Sequence, residues 1–327
     1  MTYNRANMLQ EALCSICEQT AQGFKIKILD NCSTDNTKDV VEKIKKLYPQ
    51  REIEFIGSDK NTGPSGNFVR AQKLAFAEYA MVFHDDDIMH REYISISMNL
   101  LSKNKNATLL LGACTRFYDE KTCNNDRVAF CYKKKHNVRS LKDEIKTVCY
   151  IGSKQDLVAW FLLGIDIAVS SAIYRTEYLN SIPLSDLHKH EYGDRIFLLD
   201  IVPLSKKVIL VRSPYIYYRI HSEQDSCSLK RTNLEAGMFS LFSACSNAMR
   251  PMNLKHMIIH KVFYYNHFMD IFYYVPCKEK IAPKAIVKSA IKKGLFSNFD
   301  KCIACIFRRK YMLARKVFEK AFYRNCV

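Results

Sequence analysis

Apolar and polar positions alternate along the chain with two different periods. From residue 6 to 19, Leu9, Ala12, Leu13, Ile16 and Cys17 recur at helical spacing. Lys25–Leu29 then reads as a strand. It ends at Asp30-Asn31-Cys32-Ser33-Thr34-Asp35, short polar side chains suited to cap a helix that carries Val40, Val41, Ile44 and Leu47 on one face. Glu52–Ile56 is a second strand. The glycine-rich turn Asn61-Thr62-Gly63-Pro64-Ser65-Gly66-Asn67 feeds a helix with Phe68, Ala71, Leu74 and Ala75 inward, and residues 79–83 form a third strand. Strand and helix in alternation predict a parallel, doubly wound α/β sheet. Ligands of such sheets sit outside the carboxyl ends of the strands, so Asp30, residues 61–63 and Asp85, Asp86 and Asp87 are expected on one rim.

Further on, residues 88–101 read as a helix and 108–113 as a strand. Periodicity is lost over 114–150, where an irregular insertion is expected. Residues 156–163 and 167–174 read as helix then strand. Glu191-Tyr192-Gly193-Asp194-Arg195 opens a short helix with Phe197, Leu198, Ile201 and Val202 on its apolar face and Pro203 near its end. Residues 208–211 and 215–220 look like two strands separated by Ser213-Pro214. From Leu234 onward the pattern is helical, aromatic and basic.

The chemistry concentrates where the third strand stops, at His84-Asp85-Asp86-Asp87. Two unit charges about 4 Å apart repel by ~4 kcal/mol at an effective dielectric near 20, so three adjacent aspartates at a strand tip call for a counter-ion. Oxygen donors at this density suit Mg²⁺ or Mn²⁺, which typically carries substrate phosphates as well. A solvated acidic turn or a helix cap reads equally well from the tripeptide alone. The three polar loops expected on one rim favour the metal.

At 327 residues with 48% hydrophobic side chains, the chain can bury a full core. Its 13 cysteines are irregularly spaced, and no apolar leader segment precedes them, which predicts reduced thiols in a cytosolic protein. Cys14/Cys17 and Cys302/Cys305 have CxxC spacing without a second Cys/His pair at zinc spacing, so packing is their expected role. The formal charge of +17 is lopsided: residues 251–327 carry +12 of it. A nucleic-acid binder driven by that charge is the competing class, but no recognition motif accompanies it. No apolar run reaches the ~18–20 residues that span a bilayer.

Six segments in order resemble the family 2 glycosyltransferases of the GT-A fold, of the bacterial surface-polysaccharide type. They are Thr2-Tyr3-Asn4-Arg5, the segment from Asp30 to Asp35, the turn from Asn61 to Asn67, His84-Asp85-Asp86-Asp87, Glu191-Tyr192-Gly193-Asp194, and Tyr218-Arg219-Ile220-His221. The resemblance implies an α/β GT-A nucleotide-diphospho-sugar transferase fold, a Rossmann-like mixed sheet flanked by helices, with a helical C-terminal extension. It also implies a GT-A catalytic domain over 1–230, with a nucleotide-sugar half (1–113) and an acceptor half (114–230); the basic, aromatic helical region over 231–327 is read from the residue pattern and carries no motif of the family. The family's sheet starts with an apolar strand just before the Thr-Tyr-Asn-Arg loop, where this sequence has only Met1. A truncated or mis-started reading frame, and with it a catalytically impaired sugar-nucleotide-binding relative, is the alternative expectation.

On the same resemblance Thr2, Tyr3, Arg5, Asn61, Gly63, Asp85 and Asp86 belong to the donor site, and Asp30 meets the base. Asp85 and Asp87 match the DxD motif, with Asp87 the foremost metal ligand, Asp85 a donor contact that also reaches the metal, and Asp86 shaping the turn. His221 falls where a late metal or pyrophosphate contact occurs, and Asp194 matches the base that activates the acceptor, with Glu191 next in line. Helix capping for Asp194, a bland histidine at His221 and surface roles for Arg70 and Arg219 remain open. The implied reaction is inverting transfer from a nucleotide-diphosphate sugar to a hydroxyl of a glycan or lipid-linked saccharide, assisted by Mn²⁺ or Mg²⁺. The basic, aromatic C-terminal region suits an anionic membrane surface, on the inner face of the cytoplasmic membrane, or else a solvated helical cap.

Overall fold

The longest strand pairing among the described residues joins β5 (Ala107–Tyr118) to β8 (Lys207–Ile220), in parallel. Leu109, Leu110 and Leu111 of β5 and Val208, Ile209, Leu210 and Val211 of β8 are all buried, the unbroken apolar run of strands covered on both faces. Alternate residues go to opposite faces. Leu110, Ile209 and Val211 join Tyr93 and Leu101 of α4 (Tyr93–Lys103) in one core. Leu109, Leu111, Val208 and Leu210 join α5 (Lys154–Leu162), α7 (Gly193–Asp200) and α8 (Arg231–Ala248) in the other.

The molecule is a computed structural model that describes residues 1–118, 147, 149–162, 167–189, 192–221, 224 and 231–248, with isolated positions at 291–292, 302 and 312–313. The remaining elements are α1 (Ala6–Cys17), β1 (Lys25–Leu29), α2 (Thr37–Leu47), β2 (Glu52–Ile56), α3 (Gly63–Leu74), β3 (Tyr79–Met81), β4 (Ile88–Met89), β6 (Cys149–Gly152), β7 (Ile167–Arg175) and α6 (Thr176–Ser181), with a 3-10 turn at Asp186–Lys189.

The sheet is not the all-parallel one that the alternation of elements predicted. β1 and β2 pair in parallel as a sheet of their own. The larger sheet runs β3-β7-β5-β8-β4 and is mixed: β7 lies antiparallel between β3 and β5, while β6 and β4 pair antiparallel with successive halves of β8. The sequence pattern placed the strands but did not show that β7 returns between β3 and β5.

Ser213-Pro214 also failed to break the chain. β5 and β8 slip in register between Gly112 and Cys114, which face Val211 and Ile216, so the four intervening residues of β8 form a bulge inside one long strand. β5 correspondingly extends to Tyr118, beyond the expected strand end at 113, because 114–118 pair with 216–220. Most of the insertion expected over 114–150 lies outside the described residues, as does nearly all of the basic tail.

The first helices pack as their periods predict. Leu9, Leu13 and Cys17 of α1 and Val40, Val41 and Ile44 of α2 bury together against Ile26 and Ile28 of β1. Asp35 ties both helices down: Oδ2 accepts from the Ala6 N–H at 3.0 Å and Oδ1 from the Thr37 N–H at 3.1 Å. Burial alone would raise the Asp35 carboxyl; these bonds and that of the Thr37 hydroxyl outweigh it and hold the group below the usual carboxylate range. Cys14, Cys17 and Cys302 are free thiols, and burial pushes Cys17 up to about 12, as fits a packing residue.

Candidate active site

Three segments meet at the tip of β3. The chain from Met1 to Arg5 crosses beside it, Asp85, Asp86 and Asp87 leave it, and the end of β8 with His221 closes over it. Arg5 Nη1 lies 3.3 Å from Asp85 Oδ1 and 3.3 Å from Asp86 Oδ2. His221 Nε2 pairs with the same Asp86 oxygen at 3.1 Å. Asp87 is fully buried, accepting from the Ser170 hydroxyl of β7 and from the Arg219 N–H at 3.1 Å.

Electrostatics divide the carboxylates. Burial raises Asp86, but the hydrogen bond from His221 and the charges of His84, Arg5 and His221 outweigh it, so the group is held low and ionised. Asp87 goes the other way, pushed up to about 6 by burial first and then by the negative charge of Asp86 beside it. Such a carboxyl is under-supplied with positive charge. His84, Asp86 and Asp87 present ligand atoms within 4.8 Å of one another. Two carboxylates, one of them short of countercharge, and an adjacent imidazole fit a divalent ion.

The grouping differs from the expected set in two respects. His84 joins Asp87, while His221 and Asp85 are engaged with Asp86 and Arg5. Asp86, expected in the donor site as the residue that shapes the turn, is the carboxylate on which Arg5, His221 and the cluster converge.

Beside this cluster lies a polar cradle. Thr2 and Asp30 form a parallel bridge, with Thr2 N–H to Leu29 O at 3.0 Å and Asn31 N–H to Thr2 O at 3.0 Å. Thr2 Oγ1 and Asp30 Oδ1 are buried without a hydrogen-bond partner among the described residues, while Asp30 Oδ2 takes the Ser33 N–H at 3.0 Å. Asn31 is the hub: its Nδ2 donates to Asn61 Oδ1 at 2.8 Å and Gly63 O at 3.2 Å, and its Oδ1 accepts from the Thr62 N–H at 3.0 Å. Gly63 sits at φ +73°, the left-handed region where glycine carries no penalty, at the first position of α3. Tyr3 is exposed.

Arg70 and Arg219 turn out to be braces. Arg70 donates to the carbonyls of Asp30 at 2.9 Å and Gly57 at 2.8 Å, tying the ends of β1 and β2 together. Arg219 Nε donates to Asp86 O at 2.8 Å and its Nη2 to Glu11 at 2.8 Å, with the guanidinium 4.7 Å from the Phe117 ring centroid. Neither was expected with a defined role, nor was Ser170. The available signal for Ser170 was a serine pair within the otherwise apolar β7, since a polar residue buried in a strand needs a partner.

Asp194 stands exposed in the first turn of α7, its Oδ1 accepting the neighbouring Arg195 N–H at 2.6 Å. Its charge, after burial, helps push the Tyr174 phenol above its usual range, which places it near the strand that carries Ser170. The turn before it needs Gly193: a Cβ there would fall 2.1 Å from His188 O. Glu191 lies outside the described residues.

The model of the family described as "Glycosyl transferase family 2" matches residues 1–179, more than half of the chain. The chain belongs to that family. Abequosyltransferase RfbV of Salmonella typhimurium is 32% identical over 102 residues, which are 31% of this chain and 30% of that protein. The GalNAc(5)-diNAcBac-PP-undecaprenol beta-1,3-glucosyltransferase of Campylobacter jejuni is 30% identical over 105 residues, 32% of each. An uncharacterized glycosyltransferase of Mycoplasma genitalium is 34% identical over 107 residues, 32% of this chain and 36% of that protein. These matches thus span about a third of the relatives' length. Among solved structures, S. aureus TarS 1–349 superposes with a TM-score of 0.56 at 18% identity, covering 82% of this chain and 70% of that one. Its complex with UDP-GlcNAc gives 0.55 at 17%, covering 84% and 80%. The mixed sheet with flanking helices is the GT-A glycosyltransferase fold.

Proposed function

We propose that this family 2 chain transfers a sugar, with inversion, from a nucleotide-diphosphate donor to a hydroxyl of a glycan or lipid-linked saccharide in bacterial surface-polysaccharide synthesis. The observation that carries the reading is the buried Asp86/Asp87 pair at the strand rim, with Asp87 short of positive charge beside a cradle that offers unpartnered Thr2 and Asp30 oxygens. The named activities of the S. typhimurium and C. jejuni relatives, the latter on an undecaprenol-linked substrate, support the donor and acceptor classes.

In this reading Thr2, Tyr3 and Asp30 seat the nucleoside, and the loop of Asn61 and Gly63, fixed by Asn31, closes over it. Asp87, Asp86 and His84 would hold a divalent ion, Mn²⁺ or Mg²⁺, with Asp85 on the donor side. When bound, such an ion would supply Lewis-acid neutralisation of the charge that grows on the departing nucleoside diphosphate. Arg5 lies against the same face and adds fixed positive charge that needs no reorganisation as the leaving group departs; His221 Nε2 holds the Asp86 oxygen beside it. The acceptor hydroxyl attacks the anomeric carbon as the bond to the diphosphate breaks, and Asp194 takes its proton at a carboxylate oxygen. Residues 1–230 form the catalytic domain in this reading. The region 231–327 follows it as a basic, aromatic extension that rests on the inner face of an anionic membrane. No helix among the described residues is long and apolar enough to cross one.

Calorimetric titration with UDP, GDP and dTDP, with and without Mn²⁺, tests the donor site. Binding of one of them that requires Mn²⁺ is expected, and absence of binding to all three contradicts the proposal.

A further inference from the structure

Arg195 follows Asp194 directly in the first turn of α7 and is half-buried. Among the described residues, no carboxylate, carbonyl or hydroxyl accepts a hydrogen bond from its guanidinium. Arg5, Arg51, Arg70, Arg175 and Arg219, by contrast, each donate to a carboxylate or a carbonyl. Asp194 does not fill the role for Arg195: its Oδ1 takes the Arg195 backbone N–H at 2.6 Å, and no ion pair joins the two side chains.

The guanidinium is held in place by aromatic rings. Its carbon lies 5.5 Å from the ring centroid of Phe161, a buried residue of α5, and 5.4 Å from that of Tyr192. Both distances are within the ~6 Å reach of a cation–π contact. Tyr192 presents its ring from a backbone at φ +64°, the left-handed region, where a bulky side chain is an outlier. Such a conformation persists only where the surroundings over-determine it. Here Tyr192 O accepts from the N–H groups of Arg195 and Ile196, both at 3.1 Å, and locks the turn onto the helix.

Aromatic faces offset part of the charge but supply no lone pair for the five N–H donors. A cation fixed in orientation with its donor fork open matches an oxyanion, whose paired oxygens take two parallel N–H bonds. We infer that Arg195 is a specificity-determining residue of the acceptor site: its guanidinium, set by Phe161 and Tyr192, receives an anionic group carried by the acceptor, while Asp194 receives the attacking hydroxyl. The anion is a phosphate of a lipid diphosphate linkage or the carboxylate of an acidic sugar, since both offer paired oxygens. This rests on the transferase reading, in which Asp194 serves the acceptor, and deepens it by naming the charge that the acceptor carries.

Titration of the metal-free protein with inorganic pyrophosphate, with glucuronate and with glucose tests the inference. Binding is followed by calorimetry and by the fluorescence of Trp160, the chain's one tryptophan, which is buried in α5 beside Phe161 in sequence. The same titrations are run on Arg195→Gln and Arg195→Lys, with the melting temperature as the check of folding. Saturable binding of at least one anion and none of glucose is expected, with affinity weaker by about tenfold or more in Arg195→Gln. Arg195→Lys keeps the charge without the fork, so its affinity is expected to fall between the two, and it carries the test if Arg195→Gln does not fold. Binding of pyrophosphate alone assigns the phosphate, and of glucuronate alone the carboxylate. Binding of neither anion, or equal binding by the native chain and the folded variants, overturns the inference. If that result accompanies Mn²⁺-dependent nucleotide binding, the transferase reading stands with an uncharged acceptor; if nucleotide binding fails too, both readings fall.

Discussion

Arg219 holds Asp87 through its own backbone, N–H to Oδ1 at 3.1 Å, while its guanidinium grips the carbonyl of Asp86 at 2.8 Å. One residue at the end of β8 therefore fixes two consecutive aspartates beyond the tip of β3. Because β8 is anchored along its length by β5, the spacing of the carboxylates is set by the central sheet and not by the loop that carries them.

The second support of Asp87 is the Ser170 hydroxyl. Ser170→Ala removes it without a change of backbone and leaves Asp87 Oδ2 without that support while the Arg219 N–H still holds Oδ1. Mn²⁺ affinity, followed by titration of the folded protein, is expected to fall about 10–100-fold, as is typical when a partner of a metal ligand is lost.

Asp87 also makes the site sensitive to pH. Its folded-state value of about 6 lies above the ~3.9 of an unfolded chain, so its contribution to stability is fully present below about pH 4 and is lost as pH rises through 6. Two units correspond to on the order of 3 kcal/mol. Urea unfolding of the metal-free protein at pH 4 and pH 7 is expected to show this loss relative to Asp87→Asn, which cannot ionise. Protons and metal compete for the same oxygens, so Mn²⁺ affinity is expected to drop steeply below pH 6.

Asn31 connects the ends of β1 and the turn before α3. Asn31→Ala breaks its bonds to Asn61, Thr62 and Gly63 together and leaves the turn held by its own Gly63 N–H to Asn61 Oδ1 bond at 2.8 Å. A stability loss of about 1–3 kcal/mol is expected from thermal unfolding. Donor KM is expected to rise more than kcat falls.

Asp194 is exposed, and its replacement leaves no buried group unpaired. Asp194→Asn is expected to keep the melting temperature while transfer falls by about 10²-fold or more, the usual contribution of a general base. Near-normal transfer by the folded variant assigns the proton transfer elsewhere.

Much of the fold was legible because local pattern and burial agree. The helices at Leu9 to Cys17 and Val40 to Ile44, the strands at Lys25–Leu29 and Glu52–Ile56, and the carboxylates at the end of the Tyr79 strand all follow from spacing within a few residues. What was not legible depends on partners distant in sequence. The return of β7 between β3 and β5, the bulge that absorbs Ser213-Pro214, and Ser170 reaching Asp87 across 83 positions leave no periodic trace. The division of labour among the aspartates was hidden for the same reason. Asp86 is singled out only once Arg5 and His221, 81 and 135 positions away, are seen to converge on it.

The central claim is metal-dependent sugar transfer at the Asp86/Asp87 site. Release of nucleoside diphosphate from a panel of UDP-, GDP- and dTDP-sugars, with and without Mn²⁺, in the native chain and in Asp87→Ala tests it most directly. Turnover of at least one donor that requires Mn²⁺ and is abolished in Asp87→Ala is the predicted result. Turnover that is indifferent to the metal and unchanged by the substitution would contradict it.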